Sequence, residues 1–106
     1  MTEQGKPTKI SFVYSNPTDP DAFETAYPDQ IALARKLPGL TRLQTSKVWP
    51  TEDGSPTPAY RLLDLYFVDY AAASAAAAEA GPLVAATVEH ATGGLVIAFA
   101  EVLEDA

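Results

Sequence analysis

Hydrophobic and polar residues alternate first with a period of two. Between Lys9 and Ser15, Ile10, Phe12 and Tyr14 are set against Ser11, Val13 and Ser15, which predicts a strand. The period then lengthens. Phe23, Tyr27, Ile31 (or Gln30), Ala34 and Leu37 fall three to four residues apart, on one stripe of an amphipathic helix. Asp19 is placed to cap this helix, Pro20 suits its first position, and Asp21 and Glu24 favour the positive end of its dipole. Pro28 has no amide donor, so a kink or short break is expected there, with a second helical piece from Pro28 to Leu37. Pro38-Gly39 ends it.

A second strand of mixed pattern is expected over Leu40–Trp49, and Pro50–Pro58 reads as an exposed loop. Ala59–Val68 carries the strongest strand pattern. Asp69 or Tyr70 opens an alanine-rich helix that Gly81-Pro82 interrupts, with a second piece over Leu83–His90. Thr92-Gly93-Gly94 turns the chain into a last strand, Leu95–Val102, and residues 1–7 read as a mobile tail. The order β-α-β-β-α-β is the ferredoxin-like α+β arrangement: a four-stranded antiparallel sheet with helices on one face, in a single domain spanning 1–106.

The strands have a further consequence. In the third, Leu63, Leu65 and Phe67 share one face, yet Leu62, Tyr66 and Val68 accompany Asp64 on the other. The last strand repeats this, with Val96, Ala98, Ala100 and Val102 opposite Leu95, Ile97 and Phe99. Helices cover one face only, so the second apolar face calls for a partner, most economically a second copy of the chain in a homodimer.

Charge narrows the partners. A formal net charge of −7 with unclustered Lys and Arg argues against nucleic acid and against acidic membrane surfaces. The absence of cysteine rules out disulfides and thiolate chemistry. No signal-like or membrane-length apolar segment is evident, and a cytoplasmic protein is expected.

Several segments together resemble the EthD family of the dimeric α+β barrel superfamily. They are Tyr14-Ser15-Asn16-Pro17, the helix aromatics Phe23 and Tyr27, Leu37-Pro38-Gly39-Leu40, Leu63-Asp64-Leu65-Tyr66-Phe67, and Gly93-Gly94 with the final strand. The chain diverges from the pattern in three places. Gln30 stands where the family carries a histidine, Ala32 where it carries a proline, and Asp64 where Glu is usual. The resemblance implies a ferredoxin-like dimer, pairing as a dimeric α+β barrel, with a small-molecule pocket between sheet and helices. It also implies an apolar or aromatic ligand and, if the protein is an enzyme, chemistry without a cofactor. Gln30 cannot exchange a proton near neutral pH, so the alternative is a non-catalytic accessory or structural dimer partnering an oxidase.

The residues offer candidates for such chemistry. Asp64, sharing a face with Leu62 and Tyr66, could shuttle protons inside a barrel; otherwise it is a rim residue or is paired with Arg42, Lys47 or Arg61. Tyr14 and Tyr66 could orient a substrate through their hydroxyls, or serve as packing. Tyr27 and Gln30, about one helical turn apart, could both face a pocket mouth. Trp49 and Tyr60 flank the long loop as a lid or as hairpin anchors. His90, the only histidine, fits a helix C-terminus, and no metal site is expected.

Overall fold

A computed structural model describes residues 6–105. Its elements are β1 (Thr8–Tyr14), α1 (Pro20–Arg35), β2 (Arg42–Lys47), β3 (Arg61–Phe67), α2 (Tyr70–Ala77), α3 (Gly81–His90) and β4 (Leu95–Glu101). The four strands form one antiparallel sheet in the order β2-β3-β1-β4. This is the ferredoxin-like α+β fold.

Helix starts follow local chemistry. The Asp19 carboxylate accepts from the Ala22 amide at 3.1 Å, and Asp69 accepts from Ala72 at 2.8 Å, each satisfying a donor that the first turn leaves free. Of the kink or short break expected at Pro28, the break does not occur: α1 runs through that residue as one helix. Pro28 lies on the exposed side of the helix, so the carbonyl deprived of its amide partner is within reach of water. The helix does stop before Leu37, which is buried in the following turn, and Gly39 takes the left-handed conformation (φ 77°) that redirects the chain. Of the expected tail, residues 1–5 lie outside the described residues. Pro7 is tied to the sheet, its carbonyl accepting from the Val102 amide at 2.8 Å.

The entry to β4 depends on close backbone approach. Gly94 (φ 115°) accepts from the Ser15 amide at 3.0 Å, and a Cβ at Gly93 would collide with the Asn16 carbonyl.

All three helices pack on the face that presents Ile10, Phe12, Tyr14, Leu63, Leu65 and Phe67, and they contribute Phe23, Tyr27, Ala34, Ala73, Ala76 and Leu83 to the core. The other face is bare. Val13, Leu62 and Tyr66 there are half-buried, Ala98 is exposed, and Val96 is 61% exposed. The edge strand β4 is poorly covered even on the helix side, where Ile97 and Phe99 are 40% and 42% exposed. Among the described residues no single helix is long and apolar enough to cross a membrane.

Candidate functional site

The inward face of the sheet carries a polar cluster at one end. Tyr14 is the last inward residue of β1, Gln30 continues the Phe23–Tyr27 stripe of α1, and Thr87 follows Leu83 by one turn of α3. All four polar residues, Tyr27 included, are buried; Gln30 is 1% exposed. Its Oε1 accepts from the Tyr14 hydroxyl at 3.4 Å and from Thr87 Oγ1 at 3.3 Å, both long hydrogen bonds. Gln30 Nε2 and the Tyr27 hydroxyl have no partner among the described residues. Each such orphan costs about 1–3 kcal/mol, so folded proteins rarely keep them without a reason. Around them the rings of Tyr14, Phe23 and Tyr27 form an aromatic wall, with Tyr14 edge-on to Phe23 at 5.2 Å and to Tyr27 at 5.9 Å.

Burial sets the protonation states. Desolvation pushes the Tyr14 phenol up to about 12, against a weaker opposing hydrogen bond from Thr87. Desolvation raises Tyr27 further still, with the neighbouring Tyr14 adding to it. Both hydroxyls therefore stay protonated at physiological pH, and Gln30 has no proton to exchange. The cluster can hydrogen-bond a ligand, but it holds no general base.

Outside this cluster, Glu24, Tyr60 and Arg61 form a charged mouth. Arg61 donates through Nη2 to Glu24 Oε1 at 2.5 Å and through Nε to Oε2 at 3.2 Å, while the Tyr60 hydroxyl donates to Oε2 at 2.7 Å. The Arg61 guanidinium also lies 4.7 Å from the centroid of the Tyr27 ring. The hydrogen bond from Arg61 holds the Glu24 carboxyl below its ordinary range, and Glu24 in turn raises Arg61. Burial and Glu24 push Tyr60 up to about 12.

Asp64 is on the other side of the sheet. Ser11 Oγ donates to Asp64 Oδ1 at 2.5 Å and Lys9 Nζ lies 3.5 Å away, so its partners are Lys9 and Ser11 instead of Arg42, Lys47 or Arg61. The cross-strand register explains this, since Ser11 pairs with Asp64 between β1 and β3. Beside it the Tyr66 hydroxyl donates to Gln44 Oε1 at 2.8 Å, and Leu62 shares the same face.

The strand period thus separates residues considered together from the sequence. Tyr14 faces the helices while Asp64 and Tyr66 face away, so Tyr14 cannot act jointly with Asp64 or line one cavity with Tyr66. Tyr27 and Gln30 do come together, but as buried groups behind the mouth and not at its rim. Trp49 stands beyond the end of β2, 86% exposed, whereas Tyr60 packs edge-on against Phe23 at 5.2 Å. His90 Nε2 is 4.0 Å from Glu89 Oε1 at the end of α3, and no group of three potential metal ligands occurs among the described residues.

Thr87 and the Glu24–Arg61 pair did not emerge from the sequence. Thr87 had a signal, its spacing of four from Leu83. The ion pair joins residues 37 positions apart and had none.

No family model matches the chain. An uncharacterized 11.0 kDa protein in the thcB–thcC intergenic region of Rhodococcus erythropolis is 34% identical over 96 residues, covering 88% of this chain and 92% of that protein. Among solved structures, an EthD family protein from Bacillus halodurans superposes with a TM-score of 0.83 at 22% identity, covering 92% and 99% of the two chains. SnoaB, a cofactor-independent oxygenase from Streptomyces nogalater, gives 0.66 at 17% identity over 94% and 95%. A dimeric ferredoxin-like protein of unknown function from Thermobifida fusca gives 0.69 at 13% identity over 96% of each chain. The chain belongs to one family with the Rhodococcus erythropolis protein, and its fold is that of the EthD proteins its sequence resembles.

Proposed function

We propose that the protein is an EthD-like small-molecule-binding protein whose ligand enters the helix–sheet layer at Tyr14, Tyr27, Gln30 and Thr87. The observation that carries this reading is the pair of buried donors, Gln30 Nε2 and the Tyr27 hydroxyl, which have no partner among the described residues and lie beside an aromatic wall. A small aromatic or apolar metabolite bearing an acceptor oxygen would satisfy both. Binding, or positioning a ligand for a partner protein, fits the site better than acid–base catalysis, because none of these four side chains titrates near neutrality. A second reading, as an enzyme working without a cofactor, draws support from the shared fold with SnoaB, a cofactor-independent oxygenase.

The working unit in this reading is a cytoplasmic homodimer formed through the bare face of the sheet, where Val13, Leu62, Val96 and Ala98 await cover. The Thermobifida fusca structure of the same fold is dimeric, which supports that assembly.

Acetophenone, a small aromatic ketone, tests the site. Calorimetric titration is expected to show binding to the wild type and at least a roughly tenfold loss in Gln30→Leu, the equivalent of one buried hydrogen bond. Equal affinity for both proteins, or no binding to either, contradicts the assignment.

A further inference from the structure

A groove of about 420 Å³ runs between α1 and β2, lined by Tyr27, Pro28, Ile31, Arg35, Thr45 and Arg61. Tyr27 thus belongs both to this groove and to the buried cluster, so the two adjoin at its side chain. Its walls combine an aromatic ring and aliphatic side chains with two guanidinium groups.

The charge there runs against the rest of the molecule. The chain has seven Lys and Arg against fourteen Asp and Glu. Yet Arg35, Arg61 and Lys47, whose Nζ sits 5.7 Å from the Tyr60 ring centroid, gather around this one end of the helix–sheet layer. The carboxylate engaged there is Glu24, already bound to Arg61, with the field of Asp21 reaching Tyr60 from farther along α1. Arg35 has no carboxylate within salt-bridge distance among the described residues. An exposed arginine without a partner, beside a second arginine stacked on a tyrosine, suits a planar anion.

We propose that the α1–β2 groove selects ligands that carry a carboxylate, specifically small aromatic acids. The acid group bridges Arg35 and Arg61, and the ring lies along Tyr27 and Ile31. This rests on the binding reading above and names the class of ligand that the site admits. Glu24 acts as a stand-in anion. In the empty protein it holds Arg61 over the Tyr27 ring, and an entering carboxylate competes with it for the guanidinium, opening the way to the cluster.

Benzoate and benzamide differ in charge but hardly in shape, so they separate the two claims. In amide-resolved NMR titrations at pH 7, benzoate is expected to shift resonances along residues 27–35, at Thr45 and at Arg61, and to bind at least about tenfold tighter than benzamide, the difference made by one charge-assisted contact. Arg35→Gln, an exposed change that leaves the Glu24–Arg61 pair in place, is expected to remove most of that difference. Glu24→Gln is expected to tighten benzoate and leave benzamide unchanged. If benzamide binds these residues as well as benzoate does, the carboxylate class is overturned while the site stands. If neither ligand shifts them, or benzoate shifts only residues elsewhere, both the class and the site are overturned.

Discussion

The two faces of the sheet are built from the same strands and behave as different materials. On the inward face Leu63, Leu65 and Phe67 are sealed under helices, and the polar groups among them are few and incompletely satisfied. On the outward face the polar side chains have found partners, Asp64 with Ser11 and Lys9 and Tyr66 with Gln44, while apolar Val96 and Ala98 lie open. The inward face lacks hydrogen-bond partners and the outward face lacks apolar cover. In the proposed reading a small ligand would supply the first need and a second subunit the second.

Substitutions should expose that difference. Leu65→Ala, at a fully buried inward position, is expected to cost about 2–5 kcal/mol in urea unfolding. Leu62→Ala, three residues away and facing outward, should chiefly weaken self-association, read by sedimentation at falling concentration. Ala98→Glu would bury an unpaired carboxylate in the proposed subunit contact, a penalty of several kcal/mol. Its dimer dissociation constant is expected to rise on the order of a hundredfold or more, with the circular dichroism spectrum unchanged.

Alkaline titration sharpens the contrast from the inward side. Because folding raises the Tyr14 phenol from 10.0 to about 12, its contribution is fully present below pH 10 and is lost as pH rises through about 12. Tyr14→Phe should lack that part of the alkaline transition, an effect on the order of 2 kcal/mol at its largest. Tyr27→Phe removes a buried hydroxyl that has no partner among the described residues. It is expected to raise stability by about 1 kcal/mol while weakening acetophenone, so stability and binding move in opposite directions at one atom. The smallest effect belongs to Glu24, whose carboxyl is held low by Arg61. Its half-exposed ion pair is worth up to about 1 kcal/mol above the ordinary carboxylate range, and that is lost as pH falls through the depressed value. Glu24→Gln should flatten the acid limb of the stability profile by that amount.

The sequence disclosed what periodicity controls. The alternation in β1 and β3 revealed which residues share a face, and the apolar second face is legible in Val96 and Ala98. The same rule should have separated Tyr14 from Asp64, but faces count only once strands are paired. It is the Ser11–Asp64 register that shows the two side chains diverging. Pro28 does not break the helix because its penalty of about 3 kcal/mol is outweighed by the packing of the buried stripe Phe23, Tyr27, Gln30 and Ala34. The Glu24–Arg61–Tyr60 mouth was illegible for a different reason. It joins a helix to a strand across the fold, and no spacing along the chain encodes such a contact.

The most direct test of a divided sheet is native mass spectrometry of the wild type and of Ala98→Glu, each with and without acetophenone. The wild type is expected at twice the 11.2 kDa chain mass and the variant at 11.2 kDa, with acetophenone bound by both within about twofold of the same affinity. A wild-type protein at 11.2 kDa, a variant that remains dimeric, or a ligand lost together with the dimer would contradict the assignment of one face to the ligand and the other to the partner.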